Sequence, residues 1–228
     1  MRELDEGKRK SDNDPAAGAY KDTADPHQYL QSLSNVDPEE AKQWLNIGVD
    51  IAEAHRSGTF LQKDCSVLHA GAKCPGVEIM GISQALDQYG WLDGYVWHLV
   101  SKDKDEFTRL AYERPHEGYF IRSEPNARLD EPVQSCLYIS EEGLSQNVHN
   151  VVIAEENSFM HIITGCATAP HMRTGMHVGI SEFYVKKNAT LHFTMIHRWG
   201  DKIEVRPRSV IYVEDGGTVV SNYISLGP

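Results

Sequence analysis

The 228-residue chain has no apolar run approaching eighteen residues, so no segment reads as a membrane-spanning helix. Its first residues, MRELDEGKRKSDNDPAAG, lack the apolar stretch of a secretory leader, and the expected setting is the cytoplasm. Positive charge is in deficit: 22 lysines and arginines against 33 aspartates and glutamates give a formal net charge of -11. Broad binding to DNA or RNA needs a positive surface that displaces counterions, so no nucleic-acid partner is expected. The best basic cluster, KIEVRPR at 202–208, reads as a solvated strand face. Cysteine is scarce. Cys65, Cys74, Cys136 and Cys166, in a cytosolic chain, are expected as reduced thiols or metal ligands. The C-x3-H-x4-C spacing of Cys65, His69 and Cys74 is not a usual zinc pattern. A P-loop, a G-x-S-x-G and a G-x-G-x-x-G after a strand are all missing, and no acid pair stands out, so no catalytic constellation is expected.

What is present falls into three parts. Residues 1–26 are polar, with two prolines and no apolar period, and read as a disordered tail. Residues 27–117 read as a mostly helical region. Asp37-Pro38-Glu39-Glu40 combines an Asx cap, proline at the first helical position and acids at the positive end of the dipole. That helix is expected to run through Ile51 and stop by Gly58. Ser83 is expected to cap a second helix ending at Gly90, and a third is expected over 103–112.

From about residue 118 to 228 the pattern is of strands. FIRSEPNARL, IAEENSFM, YVKKNATL and YVEDGGTV share a register whose turn residues Asn126, Asn157 and Asn188 are each 31 apart, with Gly216 after a further 28. Asparagine and glycine tolerate the left-handed backbone that a tight corner requires. A fixed period near thirty, each unit strand–corner–strand, is what stacked coils produce. The fold expected is mainly β, a right-handed parallel β-helix (a solenoid) behind a small α-helical N-terminal region.

Inside the repeat lies HIITGCATAPHMRTGMHVG, residues 161–179, with Cys166 and three histidines. Cys166 is the solenoid thiol in the histidine-rich part, and His171 and His177 flank the loop-like MRTGM. These three are the candidate metal ligands, because thiolate and imidazole suit iron and other borderline metals. His161 and His192 occupy equivalent repeat positions and are expected to form a ladder. Cys136, in VQSCLYI, reads as a buried strand residue, and Trp199 as a packing residue at a coil edge.

The runs HIITGCATAP (161–170), HVGISEFYVKKNATLHFTMIHRWG (177–200), VRPRSVIYVEDGGT (205–218) and SNYISLGP (221–228) resemble the SufB/SufD family, closest to its shorter archaeal-type members. ALDQYGWLDGYVW, GYFIR and EPVQSCLYI extend the likeness to roughly residues 60–228. The resemblance implies a scaffold for building iron–sulfur clusters, a transiently held cluster, a SufC-like ABC ATPase partner, and pairing as a SufB–SufD-type dimer or homodimer. It implies binding and transfer of iron and sulfur, with no small-molecule turnover. It also implies further coils and an ATPase-docking helical segment beyond Pro228, so the chain reads as a fragment or a shortened paralogue. As a solenoid open at the coil holding TVVSNYIS, it is expected to self-associate. Two other readings stand beside this one: a cupin-like β-fold metalloenzyme using His171, His177 and Glu182, and a metal-free protein-interaction module.

Overall fold

The computed structural model describes residues 20–227. Most of the expected tail, residues 1–19, lies outside them. Its last part is ordered: Lys21 donates its backbone N–H to Gly143 at 2.8 Å, and Asp22 pairs with Arg114 at 2.7 Å. Tyr20 explains this, packing with Trp97, Phe107 and Met176 in one apolar cluster.

Helix α1 (Pro38–Leu45) starts as expected, with the Asp37 carboxylate accepting from the N–H groups of Glu39 and Glu40. It ends six residues early, because Gly48 takes φ +84° and turns the chain back onto Trp44. Helix α2 (Ile82–Gln88) has Gly81 at its cap position. The Ser83 side chain does not cap it; the Ser83 N–H donates to the Glu117 carboxylate instead. A 3₁₀ turn follows at Gly90–Gly94, and α3 (Glu106–Glu113) begins on a capping box of Asp105 and Thr108. Among the described residues no helix is long and apolar enough to cross a membrane.

Three strands stand where a mostly helical region is expected: β1 (Gly58–Lys63), β2 (Ser66–Ala72) and β3 (Val77–Gly81). Each is too short to establish a period in sequence. β1 and β2 form an antiparallel hairpin, and β3 pairs antiparallel with β4 (Tyr119–Ser123). β1 also pairs in parallel with β5 (Val133–Ile139), so the sheets begin at Gly58, sixty residues before the expected boundary.

The rest is β6 (Ser145–Ala154), β7 (Phe159–Thr168), β8 (Gly175–Val185), β9 (Thr190–Arg198), β10 (Ile203–Val205), β11 (Arg208–Val213) and β12 (Thr218–Ser225). They form two sheets, ordered β12-β9-β7-β5-β1-β2 and β10-β8-β6-β4-β3, with β11 also on β8. Every pairing among β4–β12 is parallel, giving a β-solenoid of about three turns. The repeat marks its corners. Asn126, Asn157, Asn188 and Gly216 have φ of 62°, 58°, 57° and 71°. The backbone N–H of Asn126 donates to Glu156 O, that of Asn157 to Lys187 O, and that of Asn188 to Asp215 O. The amides also ladder, Asn188 to Asn157 and Asn157 to Asn126, each at 3.2 Å.

Alternation sends one set of side chains into the lumen, where Phe60, Tyr119, Leu137, Ile162, Phe183 and Phe193 pack together. The other set faces outward and is covered. On one sheet the cover is the α1 segment: Trp44 and Ile47 pack with Leu61, Cys136 and Tyr138. A Cβ on Gly165 would lie 2.7 Å from the Ile47 carbonyl, so this glycine in mid-strand β7 is required by close approach of the covering chain.

On the other sheet the cover is held by one carboxylate. Glu182, fully buried on β8, accepts from the backbone N–H groups of Trp97 (2.7 Å), Leu99 and Val100 (3.0 Å), and from His149 Nε2 at 2.7 Å. Burial alone would raise its pKa. The His149 bond and the Val100 and Leu99 N–H groups outweigh burial and lower it.

A valine at position 157 meets left-handed strain of about 1–2 kcal/mol and forfeits ladder bonds of about 1 kcal/mol. In urea unfolding followed by far-UV circular dichroism, Asn157→Val should therefore destabilise clearly more than Asn157→Gly; equal losses would remove the backbone argument. Glu182→Gln should cost about 3–5 kcal/mol at neutral pH, as for other broken buried pairs. Because the folded carboxyl titrates below its unfolded value of about 4.3, its contribution is complete above that pH and is lost as pH falls through the folded value. The Glu182→Gln chain should lack that part of the acid limb, and hydrogen exchange should show faster exchange at residues 97–100.

Candidate functional site

Strand parity decides what reaches the lumen. On β7 the inward positions are Met160, Ile162, Thr164 and Cys166, and on β9 they are Leu191, Phe193, Met195 and His197. In register, Cys166 sits between Leu137 of β5 and His197 of β9. From the facing sheet, β8 contributes His177, Gly179 and Ser181. These groups line a cavity of about 230 Å³, together with Asn150 and Tyr223.

The chemistry of this cavity follows from the burial of Cys166, His177 and His197. Burial pushes the Cys166 thiol up to about 12, so it is protonated at neutral pH. Burial, with His197 nearby, lowers His177 to about 3, and burial lowers His197 to about 4. Both imidazoles are therefore neutral at pH 7. The tautomer of His177 is set by its neighbour. Gln146 donates its amide N–H groups to the carbonyls of Asp64 and Tyr138, which leaves its oxygen to accept from His177 Nδ1 at 3.0 Å. The lone pair then lies on Nε2, packed over Gly179: a Cβ there would stand 2.9 Å from Nε2. His197 Nδ1 lies 2.7 Å from the Tyr223 hydroxyl. Trp199 packs between the two imidazoles, its ring centroid 4.9 Å from that of His177 and 5.5 Å from that of His197, and its buried indole N–H has no hydrogen-bond partner among the described residues.

Of the three expected ligands, then, the fold brings two into one cavity. His171 is exposed on the β7–β8 loop, with Nε2 3.0 Å from the Ser140 carbonyl, outside the cavity lining. The cupin-like arrangement has no counterpart: the sheets are parallel coils, His171 and His177 lie apart, and Glu182 holds a loop. His197 is a further imidazole of this cavity, and its parity with Phe193 on β9 is the sequence signal for it. Among the described residues no three His, Cys, Asp or Glu side chains are grouped to hold a metal ion. Cys65, His69 and Cys74 do not converge either: His69 Nδ1 bonds to Leu30 O, and the Cys74 thiol to Ser57 O.

Residues 137–228 match the family described as SUF system FeS cluster assembly, SufBD core domain. That match spans Cys166, His177, His197 and the last seven strands, β6 to β12. The chain is 50% identical over 193 residues to a protein of Archaeoglobus fulgidus, covering 85% of this chain and 51% of that one. It is 45% identical over 212 residues to a protein of Methanothermobacter thermautotrophicus, covering 91% and 52%. A Staphylococcus aureus protein is 30% identical over 184 residues, covering 77% and 40%. All three are named as iron–sulfur cluster assembly SufBD family proteins. The chain spans about half the length of the two archaeal relatives. By these matches and its parallel coils, the chain belongs to the SufBD family.

Proposed function

We propose that this chain is a SufB/SufD-like scaffold component that helps build iron–sulfur clusters in the cytoplasm, binding iron and sulfur as cargo and turning over no small molecule. The observation that carries the reading is the 45–50% identity, over most of the chain, to proteins named for that process. The lumen supports it in chemical terms. Cys166 supplies the one thiol of the cavity, and His177 supplies an imidazole with its lone pair on Nε2. Iron(II) binding converts the neutral thiol to an iron-bound thiolate and releases its proton to solvent. The transient cluster, the SufC-like ATPase and pairing with a second copy or a SufB–SufD-type partner belong to the same proposal. Tyr212, Val220, Tyr223 and Ile224, exposed on β11 and β12, suit a protein contact on that coil.

Anaerobic reconstitution with iron and sulfide, counted per chain, tests this. Cys166→Ser should lose most of the acid-labile sulfide and its iron, and His177→Ala should lose a substantial part. His171→Ala and Cys65→Ser should load like the unaltered chain. Equal sulfide loading in Cys166→Ser would remove Cys166 from the mechanism, and no loading in any form would leave the chain without this chemistry.

A further inference from the structure

A second imidazole pair lies on the opposite face of the sheet that carries Cys166. His161 of β7 and His192 of β9 are direct partners in the parallel register. Both point outward, since each is separated from the lumen residues of its own strand by an odd number of positions. Both are half-buried. Their ring centroids stand 6.0 Å apart with planes at 71°.

That separation is informative. Two imidazoles that each place a nitrogen about 2.1 Å from a shared ion have ring centroids roughly 5–6.5 Å apart. The backbone ladder holds the two rings within that range. The Thr194 hydroxyl lies 3.2 Å from His161 Nε2. When the hydroxyl accepts from Nε2–H, it orients the first ring and leaves the lone pair on Nδ1, the usual way an outer hydrogen bond prepares a histidine ligand. Burial, His192 and Arg56 all lower the pKa of His161, keeping it in the neutral form that a metal requires. Arg56 is the opposing influence, a positive charge that weakens any cation there. Its guanidinium is engaged by Gln134 and by the carbonyls of Ala54, His55 and Gly48.

We propose that His161 and His192 form a binding site for one divalent cation of the imidazole-preferring class, such as copper(II), nickel(II) or zinc, with water completing the coordination. The site stands apart from the lumen and does not depend on the cluster-assembly reading.

The test is calorimetric titration of nickel(II) into the reduced full chain, in parallel with His161→Ala, His192→Gln, the His161→Ala/His192→Gln double variant, and a Cys166→Ser/His177→Ala chain with the lumen groups removed. Thermal melting checks that each is folded. One ion per chain is expected to bind. Each single substitution should weaken it by at least what loss of a supporting hydrogen bond costs, roughly tenfold. The double variant should lose the outer-face ion, and the lumen variant should retain it. Undiminished binding in the double variant, loss of binding in the lumen variant, or no binding by the unaltered chain would each overturn the proposal.

Discussion

One backbone constraint underlies this structure: each coil pairs with the next in parallel and in register. Between β6 and β8, and between β7 and β9, partners are 31 residues apart, and from β8 to β11 and β9 to β12 they are 28 apart. Those offsets are the spacings of Asn126, Asn157, Asn188 and Gly216. The corners therefore set the length of a coil, and coil length sets which side chains stack. A one-residue slip would exchange the lumen and outer sets along a whole strand, sending Cys166 and His197 outward and His161 and His192 inward. The corner asparagines resist such a slip twice, through a left-handed backbone that few residues adopt and through amide bonds running from coil to coil.

Because register also fixes burial, it fixes charge states. A carboxylate on the outer face, Glu182, stays ionised in a dry setting because three backbone N–H groups and His149 surround it. Inside, no comparable donors meet Cys166, and burial alone raises its pKa. The buried carboxylates Glu182 and Asp64 do similar mechanical work. Asp64 accepts from the Ser140 hydroxyl and from the N–H groups of Ser140 and Glu141, tying the β1–β2 turn to the coil above. The polar groups of the interior thus divide by role. Carboxylates fasten covering segments, while the thiol and imidazoles stay neutral in the lumen.

The coils were legible in sequence because they repeat: a left-handed corner needs asparagine or glycine, and a period of 31 leaves few architectures. The stack of His161 on His192 was legible for the same reason. β1, β2 and β3 were not, because runs of five to seven residues are too short to stand out, and their place depends on β5 and β4, distant in sequence. The early end of α1 lies at a glycine, Gly48, with φ +84°; the close approach of Ile163 and Ile196 that also excludes a side chain there was invisible locally. Within the site, proximity along the chain misled: His171 is five residues from Cys166 yet sits on an exposed loop, whereas His197 is 31 residues away and directly beside it in register. In a solenoid, the period is a better guide to neighbours than the sequence interval.

The proposal that Cys166 and His177 hold iron and sulfur rests on register, which places both inside the coil. An anaerobic crystal of the chain loaded with iron(II) and sulfide, examined by anomalous diffraction at the iron edge, tests it most directly. The account requires anomalous density within the lumen, between β7 and the facing β8, in contact with Cys166. Density confined to the outer surface, with the lumen empty, would contradict it.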